Sequence, residues 1–235
     1  PVLQTMFCRI FGECPYKSPT DMGVNMAGYA IIDDEVCCQA SREEIIRRYY
    51  AACCSLRQGL SNENEVRKIE LIMNSAGISV GQRLTVAAAL DKAQKTGAPA
   101  VAIELSDGRI ITGKTSSLLG ASAAALLNAL KALAGIDDGT HLISPTVIEP
   151  IQRLKIENMG NHNPRLHTDE ILIALAICAA TDPTARAAMD KLPELKGCEA
   201  HSTVILSRVD ENVFHKLGIG LTCEPQYQTK KLYHA

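Results

Sequence analysis

The stretch Ser116 to Gly135, SSLLGASAAALLNALKALAG, places the tightest limit on the fold. Read as a helix it is apolar on most faces, and such a helix has to be buried against more than one neighbour. The residues before it supply a layer to lie on. PAVAIEL is strand-like, SDG is a tight-turn signal and RIITG is a second strand, so Pro99 to Gly113 reads as a β-hairpin. Farther on, HSTVILS, DENVFHKLG and IGLTCEP read as strand, helix and strand, the unit that builds parallel strand pairs. The expected fold class is therefore α/β, of the α+β kind.

The rest of the chain reads as helix. SREEIIRRYYAACCSL, Ser41 to Leu56, opens on a Ser cap with Glu43 and Glu44 in its first turn. NEVRKIELIMNSAG repeats the amphipathic pattern and closes at Gly77, and GQRLTVAAALDKAQKTG ends at Gly97. His141 to Lys196 is helical again, punctuated by Pro145, Pro164, Pro183 and Pro193. The expected organisation is a mostly helical region over 1–97, with a polar loop at 16–28, and an α/β domain over 98–235 with a helical insertion at 141–196.

Composition excludes several classes of function. No apolar run is long enough to cross a bilayer, so a membrane role is not expected. Basic and acidic residues nearly balance, 24 against 26, which leaves no electrostatic footprint for a phosphate backbone and makes nucleic acid a poor partner. The nine cysteines include no C-x-x-C pair and are odd in number. They read as small buried apolar residues of a reducing, cytoplasmic protein rather than as a disulfide framework. The opening PVLQTMFCRIFGECPYKSPTD shows no signal pattern, and its apolar Phe7, Ile10 and Phe11 suggest a partner in sequence that precedes it.

GRIITGKT, residues 108–115, fits the phosphate-loop pattern G-x-x-x-x-G-K-[ST] letter for letter. In a phosphate loop the four variable residues turn their N–H groups inward on the phosphates. Here Arg109, Ile110, Ile111 and Thr112 follow a turn and would spend those groups on the hairpin partner, so the match reads as accidental. A weaker anion site remains in view, with Gly113, Lys114, Thr115 and Ser116 leading into a helix N-terminus, against simple capping by Thr115 or Ser116.

Three polar clusters carry the remaining chemistry. KSPTDMGVN gathers Lys17, Ser18, Thr20, Asp21 and Asn25, either a ligand-gripping loop or a turn that satisfies its own backbone. NHNPRLHTDE holds Arg165, which can grip a phosphate or carboxylate in bidentate fashion, and His167, which can move a proton near neutral pH. In the same cluster Thr168, Asp169 and Glu170 suit a helix cap and first turn. GCEAHS offers Glu199 and His201, two apart on an extended segment and so on one face, as an acid–base pair. Cys198 and Cys223 lack a metal spacing, and no metal site or cofactor is identifiable.

YKSPTDMGVNMAG (16–28), GCEAHSTVILS (197–207) and LTCEPQYQTKKLYH (221–234) resemble the bacterial family catalogued as domain of unknown function 1846. The resemblance runs along essentially the whole chain, and the family it points to has no established activity. It implies members about twice this length, of which this chain would be the C-terminal half, with a Gly-rich, phosphate-loop-like segment in the other half. The order of helix, hairpin, buried helix and strand-helix-strand also resembles the cytidine-deaminase fold, a three-layer α/β/α arrangement, without its zinc ligands.

The expected function is a metal-free site for a phosphorylated small molecule or nucleotide, shared with the missing N-terminal half and set in a homo-oligomer. Glu199, His201 and His167 are the expected catalytic groups, as in a transferase or hydrolase. Lys17, Ser18, Thr20, Asp21, Asn25, Lys114, Thr115 and Arg165 are the expected ligand or anion binders. The alternative is a non-catalytic structural or oligomerisation module.

Overall fold

The computed structural model describes residues 2–12 and 34–228. The loop carrying Lys17, Ser18, Thr20, Asp21 and Asn25 therefore lies outside the described residues. Helix α1 (Val2–Phe11) is followed by α2 (Asp34–Arg57), α3 (Glu63–Ala76) and α4 (Leu84–Thr96). Ser41 is not the cap of α2, which starts seven residues earlier. Its hydroxyl instead donates back to Cys37 O at 2.9 Å, the satisfaction open to a serine inside a helix. Helix α3 is capped by Asn62, whose side chain accepts from Asn64 N–H, and Gly77 closes it in the left-handed conformation at φ 66°.

Strands β1 (Ala100–Glu104) and β2 (Ile110–Lys114) form the expected hairpin, turning at Gly108. After them come α5 (Ala121–Ala134), α6 (Pro145–Arg153), α7 (Thr168–Cys178), α8 (Pro183–Met189), β3 (Glu199–Ser202), α9 (Arg208–Lys216) and β4 (Gly220–Cys223). The sheet order is β2-β1-β3-β4, with β1 antiparallel to β2 and β3, and β3 parallel to β4 across α9. The chain is thus mixed α/β.

Alternation along the strands sends Val101, Ile103 and Ala200 to one face. There they join Ala125, Leu126 and Leu130 of α5, Ile171 and Leu175 of α7, and Phe214 of α9 in the main core. Helices α2 and α4 pack against the sheet from the other side, and a second core of Ile46, Tyr50, Met73, Ile78 and Val86 ties α2, α3 and α4 together. Helix α5 is buried as its composition demands. It lies so close to β2 that a Cβ on Gly113 would fall on the backbone of Ala125.

That packing explains GRIITGKT. Its residues are a turn and a strand, with Ile110, Ile111 and Thr112 paired to Glu104, Ile103 and Ala102, and its second glycine is there for helix clearance. Helix α5 begins only at Ala121, so Gly113 to Ser116 do not lead straight into its N-terminus, which corrects that expectation. Among the described residues no helix is long and apolar enough to cross a membrane.

Candidate functional site

The register decides where a site can form. Ala100 pairs with Lys114 and Val101 with Ser202, so β2 and β3 leave the sheet at the same end. The segments that follow them start α5 and α9, and the N-terminus of α7 joins the same end through Leu166 N–H, which donates to Leu118 O at 3.0 Å, and Gly120 N–H, which donates to Leu166 O at 3.2 Å. The result is a cleft of about 340 Å³ at the carboxyl end of the parallel strand pair, the usual place for a ligand in an open α/β sheet. Thr115, Ser122, Lys155, Arg165, His167 and Asp210 all line it.

The centre of the cleft is a carboxylate–imidazole pair. His167, the residue just before α7, places Nδ1 3.0 Å from Asp210 Oδ2 in the first turn of α9. Asp210 is buried and fully engaged. Its Oδ2 also accepts from Ser207 Oγ at 2.8 Å, and its Oδ1 accepts from the N–H and hydroxyl of Thr168, both at 2.9 Å. Burial alone would raise this carboxyl, yet the bonds from His167, Thr168 and Ser207 hold it below the ordinary carboxylate range. The hydrogen bond to Asp210 in turn raises the imidazole above its usual value, against the effect of burial. Nε2 of His167 has no partner among the described residues and is the ring atom left for a ligand.

Ser207 is not a nucleophile aligned on this pair. It sits 3.4 Å from Nδ1, the ring atom already committed to Asp210, and caps α9 by accepting from Asp210 N–H.

A buried cation lies beside this pair. α6 contains Pro150 and runs into a single π-helical stretch, Leu154–Asn158, a local irregularity often found at functional sites. It brings Lys155 inward, where Nζ donates to Arg165 O and to Glu170 Oε2, each at 2.7 Å. Glu170 also accepts from His167 N–H at 2.8 Å and so caps α7. Arg165 Nε donates to Ser116 O at 2.7 Å, and no carboxylate pairs with its guanidinium among the described residues.

Of the expected site residues, the fold brings His167, Arg165 and Thr115 into this cleft. Lys114 does not line it and stands exposed at the end of β2. Glu199 and His201 share one face of β3, as two-residue spacing requires, but that face looks toward α2 and α4 and away from the cleft. Glu199 pairs with Arg47 at 2.6 Å and with Arg83 at 2.7 Å. Arg83 is fully buried and also donates to Ala200 O, Gly220 O, Thr222 Oγ1 and Glu43. His201 is enclosed, with Nδ1 2.8 Å from Thr222 Oγ1, Nε2 in a poorly aligned 3.2 Å contact with Glu224 Oε1, and its ring against Tyr50. The His201 ring beside it, with the Tyr50 hydroxyl, holds the Glu224 carboxyl below its ordinary range. Glu199 and His201 thus lie in a network that fastens α2 and α4 to the sheet.

Lys155, Asp210 and Ser122 belong to the cleft and were not expected there. Ser207 and Asp210, three apart, carried the only local signal, a cap followed by a first-turn acid. Nothing near Lys155 or Ser122 in sequence marks them. Among the described residues no group of three or more His, Cys, Asp or Glu side chains is placed to hold a metal ion.

Comparison with known proteins adds the family context. Residues 81–233 match the family model described as domain of unknown function DUF1846, C-terminal, and residues 1–77 match its N-terminal counterpart. A UPF0371 protein of Corynebacterium glutamicum (strain R) is 55% identical over 233 residues, 99% of this chain and 47% of that protein. UPF0371 proteins of Corynebacterium efficiens and of Streptococcus thermophilus (strain ATCC BAA-491 / LMD-9) are each 56% identical with the same coverage. The chain spans about half the length of these relatives. The expectation that it corresponds only to the family's C-terminal half is corrected, because both models find their match within it. A site completed by a missing half has no support in these matches.

Proposed function

The chain belongs to the DUF1846 family, and on that premise we propose that the cleft between α5, α7 and α9 binds an anionic small molecule and performs acid–base chemistry on it. The observation that carries this reading is the His167–Asp210 contact at 3.0 Å with Nε2 left to the cleft. A buried carboxylate on Nδ1 fixes the ring and its tautomer and favours the imidazolium, so His167 is a proton donor in that form and a base once deprotonated. Asp210 is a positioning residue in this scheme. Arg165 and Lys155 supply positive charge near the ligand. The order α4, hairpin, α5, then β3–α9–β4, supports assigning the second part of the chain to a deaminase-like fold.

The alternative is an assembly module, and the exposed Ile173 and Ile177 on one stripe of α7 favour it. A thermal-shift screen of phosphorylated small molecules against wild type and His167→Gln decides. A compound that stabilises wild type, with a shift that depends on pH and shrinks in His167→Gln, is expected. Equal shifts in both proteins overturn the acid–base reading.

A further inference from the structure

The first turn of α5 is a buried helix end without a cap. Gly120 stands at the N-cap position with no side chain to offer, and no carbonyl or side chain among the described residues accepts from the N–H groups of Ala121, Ser122 and Ala123. Water does not cover them freely, since these residues are 5%, 2% and 0% exposed. A helix end left in that state calls for a partner beyond the described residues. The other two helices at the cleft satisfy themselves, α7 through Glu170 and Asp210 and α9 through Ser207.

A second observation points the same way. The Ser122 side chain is almost wholly buried and lines the cleft, and no residue among those described hydrogen-bonds its hydroxyl. Lys155 faces the same cleft with two of its three ammonium protons spent, on Arg165 O and Glu170 Oε2. The two carboxylates nearby are already engaged, Glu170 through Oε2 by Lys155 and His167 N–H, and Asp210 through both oxygens by His167, Ser207 and Thr168. Arg165 then leaves the cleft with a surplus of positive charge whenever His167 is protonated.

We propose that the first turn of α5, with Ser122 and Lys155, is the seat of a phosphoryl group on the ligand. The N–H groups of the first turn, the Ser122 hydroxyl and an ammonium proton of Lys155 would give a three-dimensional set of donors, which suits the three terminal oxygens of a phosphate monoester better than a planar carboxylate. The positive end of the helix dipole adds to the attraction. The seat rests on the reading of this cleft as a small-molecule site, and it assigns the phosphate end of the ligand to α5 and the reacting end to His167.

The test uses inorganic phosphate and the Gly120→Asp variant. Gly120 has an extended N-cap conformation, φ −67° and ψ 160°, and a Cβ there meets only Leu166 O at 3.7 Å and Ser122 Oγ at 3.8 Å, ordinary contacts. An aspartate at this position caps α5 with its own carboxylate and occupies the seat from within. In wild type, phosphate is expected to shift the Ala121, Ser122 and Ala123 amide resonances saturably, with acetate at equal ionic strength at least tenfold weaker. Gly120→Asp is expected to melt higher than wild type and to lose the response, and Ser122→Ala to weaken it severalfold. The proposal is overturned if those amides do not respond, if acetate competes equally, or if Gly120→Asp still binds phosphate as wild type does. Phosphate binding at α5 with no ligand sensitive to His167 would leave the seat standing and remove only the acid–base role. A His167-dependent ligand that leaves these amides unmoved would do the reverse.

Discussion

Asp210 Oδ2 lies 3.0 Å from His167 Nδ1, and this contact joins the N-cap residue of α7 to the first turn of α9, 43 positions away in sequence. It sets a proton carrier in the cleft. The same carboxylate accepts from Thr168 and Ser207, so charge and fold depend on one buried group.

Asp210→Asn keeps the shape and removes the charge. The His167 ring is expected to titrate lower than in wild type, read from imidazole nitrogen shifts across a pH series. Asp210→Ala leaves Thr168 N–H and hydroxyl unpaired in the interior, and a loss of about 2–4 kcal/mol in urea unfolding is expected. An unchanged His167 titration in Asp210→Asn would contradict the coupling.

Stability should follow pH with a definite sign. His167 is raised in the folded state, so its contribution is complete below the unfolded value of about 6.5 and is lost as pH rises through the higher folded value. Asp210 is lowered, so its contribution is present above the unfolded value of about 3.9 and is lost as pH falls through the lower folded value. The pair stabilises most between the two. Urea midpoints of wild type should fall on the alkaline side of that window, and those of His167→Gln should fall less.

Gly113→Ala puts a methyl group into the backbone of α5, where neither the strand nor the helix can yield cheaply. A loss of 3 kcal/mol or more, on the order of the largest single-residue effects, is expected. Lys114→Ala is expected to change stability by less than about 0.5 kcal/mol and to leave phosphate binding intact. A large loss of phosphate affinity in Lys114→Ala would restore GRIITGKT as an anion site.

Arg83 is 1% exposed and ties Glu43 and Glu199 to the carbonyls of Ala200 and Gly220. Arg83→Met strands Glu199 beside one remaining arginine and two open carbonyls, and about 3–5 kcal/mol should be lost in chemical denaturation. Ligand affinity at the cleft, measured well below the new melting point, should not change. A selective loss of ligand binding there would place Glu199 and His201 in the site after all.

Local pattern was enough for the elements whose burial is written in composition. The apolar run at 121–134 could only be an interior helix, although the pattern carries it back to Ser116 and the helix starts at Ala121. The hairpin at 99–113 followed from strand, turn and strand, and β3–α9–β4 from the same reasoning. Where sequence misled, it did so by offering a sound local role that a longer element overrode. Ser41 looks like a cap and is instead interior to a helix that packs on the sheet. Glu199 and His201 look like an acid–base pair because spacing fixes that they share a face, but spacing cannot say which layer covers it.

The sequence by itself determined the mixed α/β class, the hairpin, the buried helix and the candidacy of Arg165 and His167, because periodicity and turn chemistry act over a few residues. Tertiary structure alone decided that Lys155, Asp210 and Ser122 join them. Those residues come from separate elements: the ladder registers of β1 with β2 and β3 bring Ser122 and Asp210 to one end of the sheet, and Lys155 joins through Arg165 O and Glu170, and long-range pairing of that kind leaves no mark in any short stretch of chain.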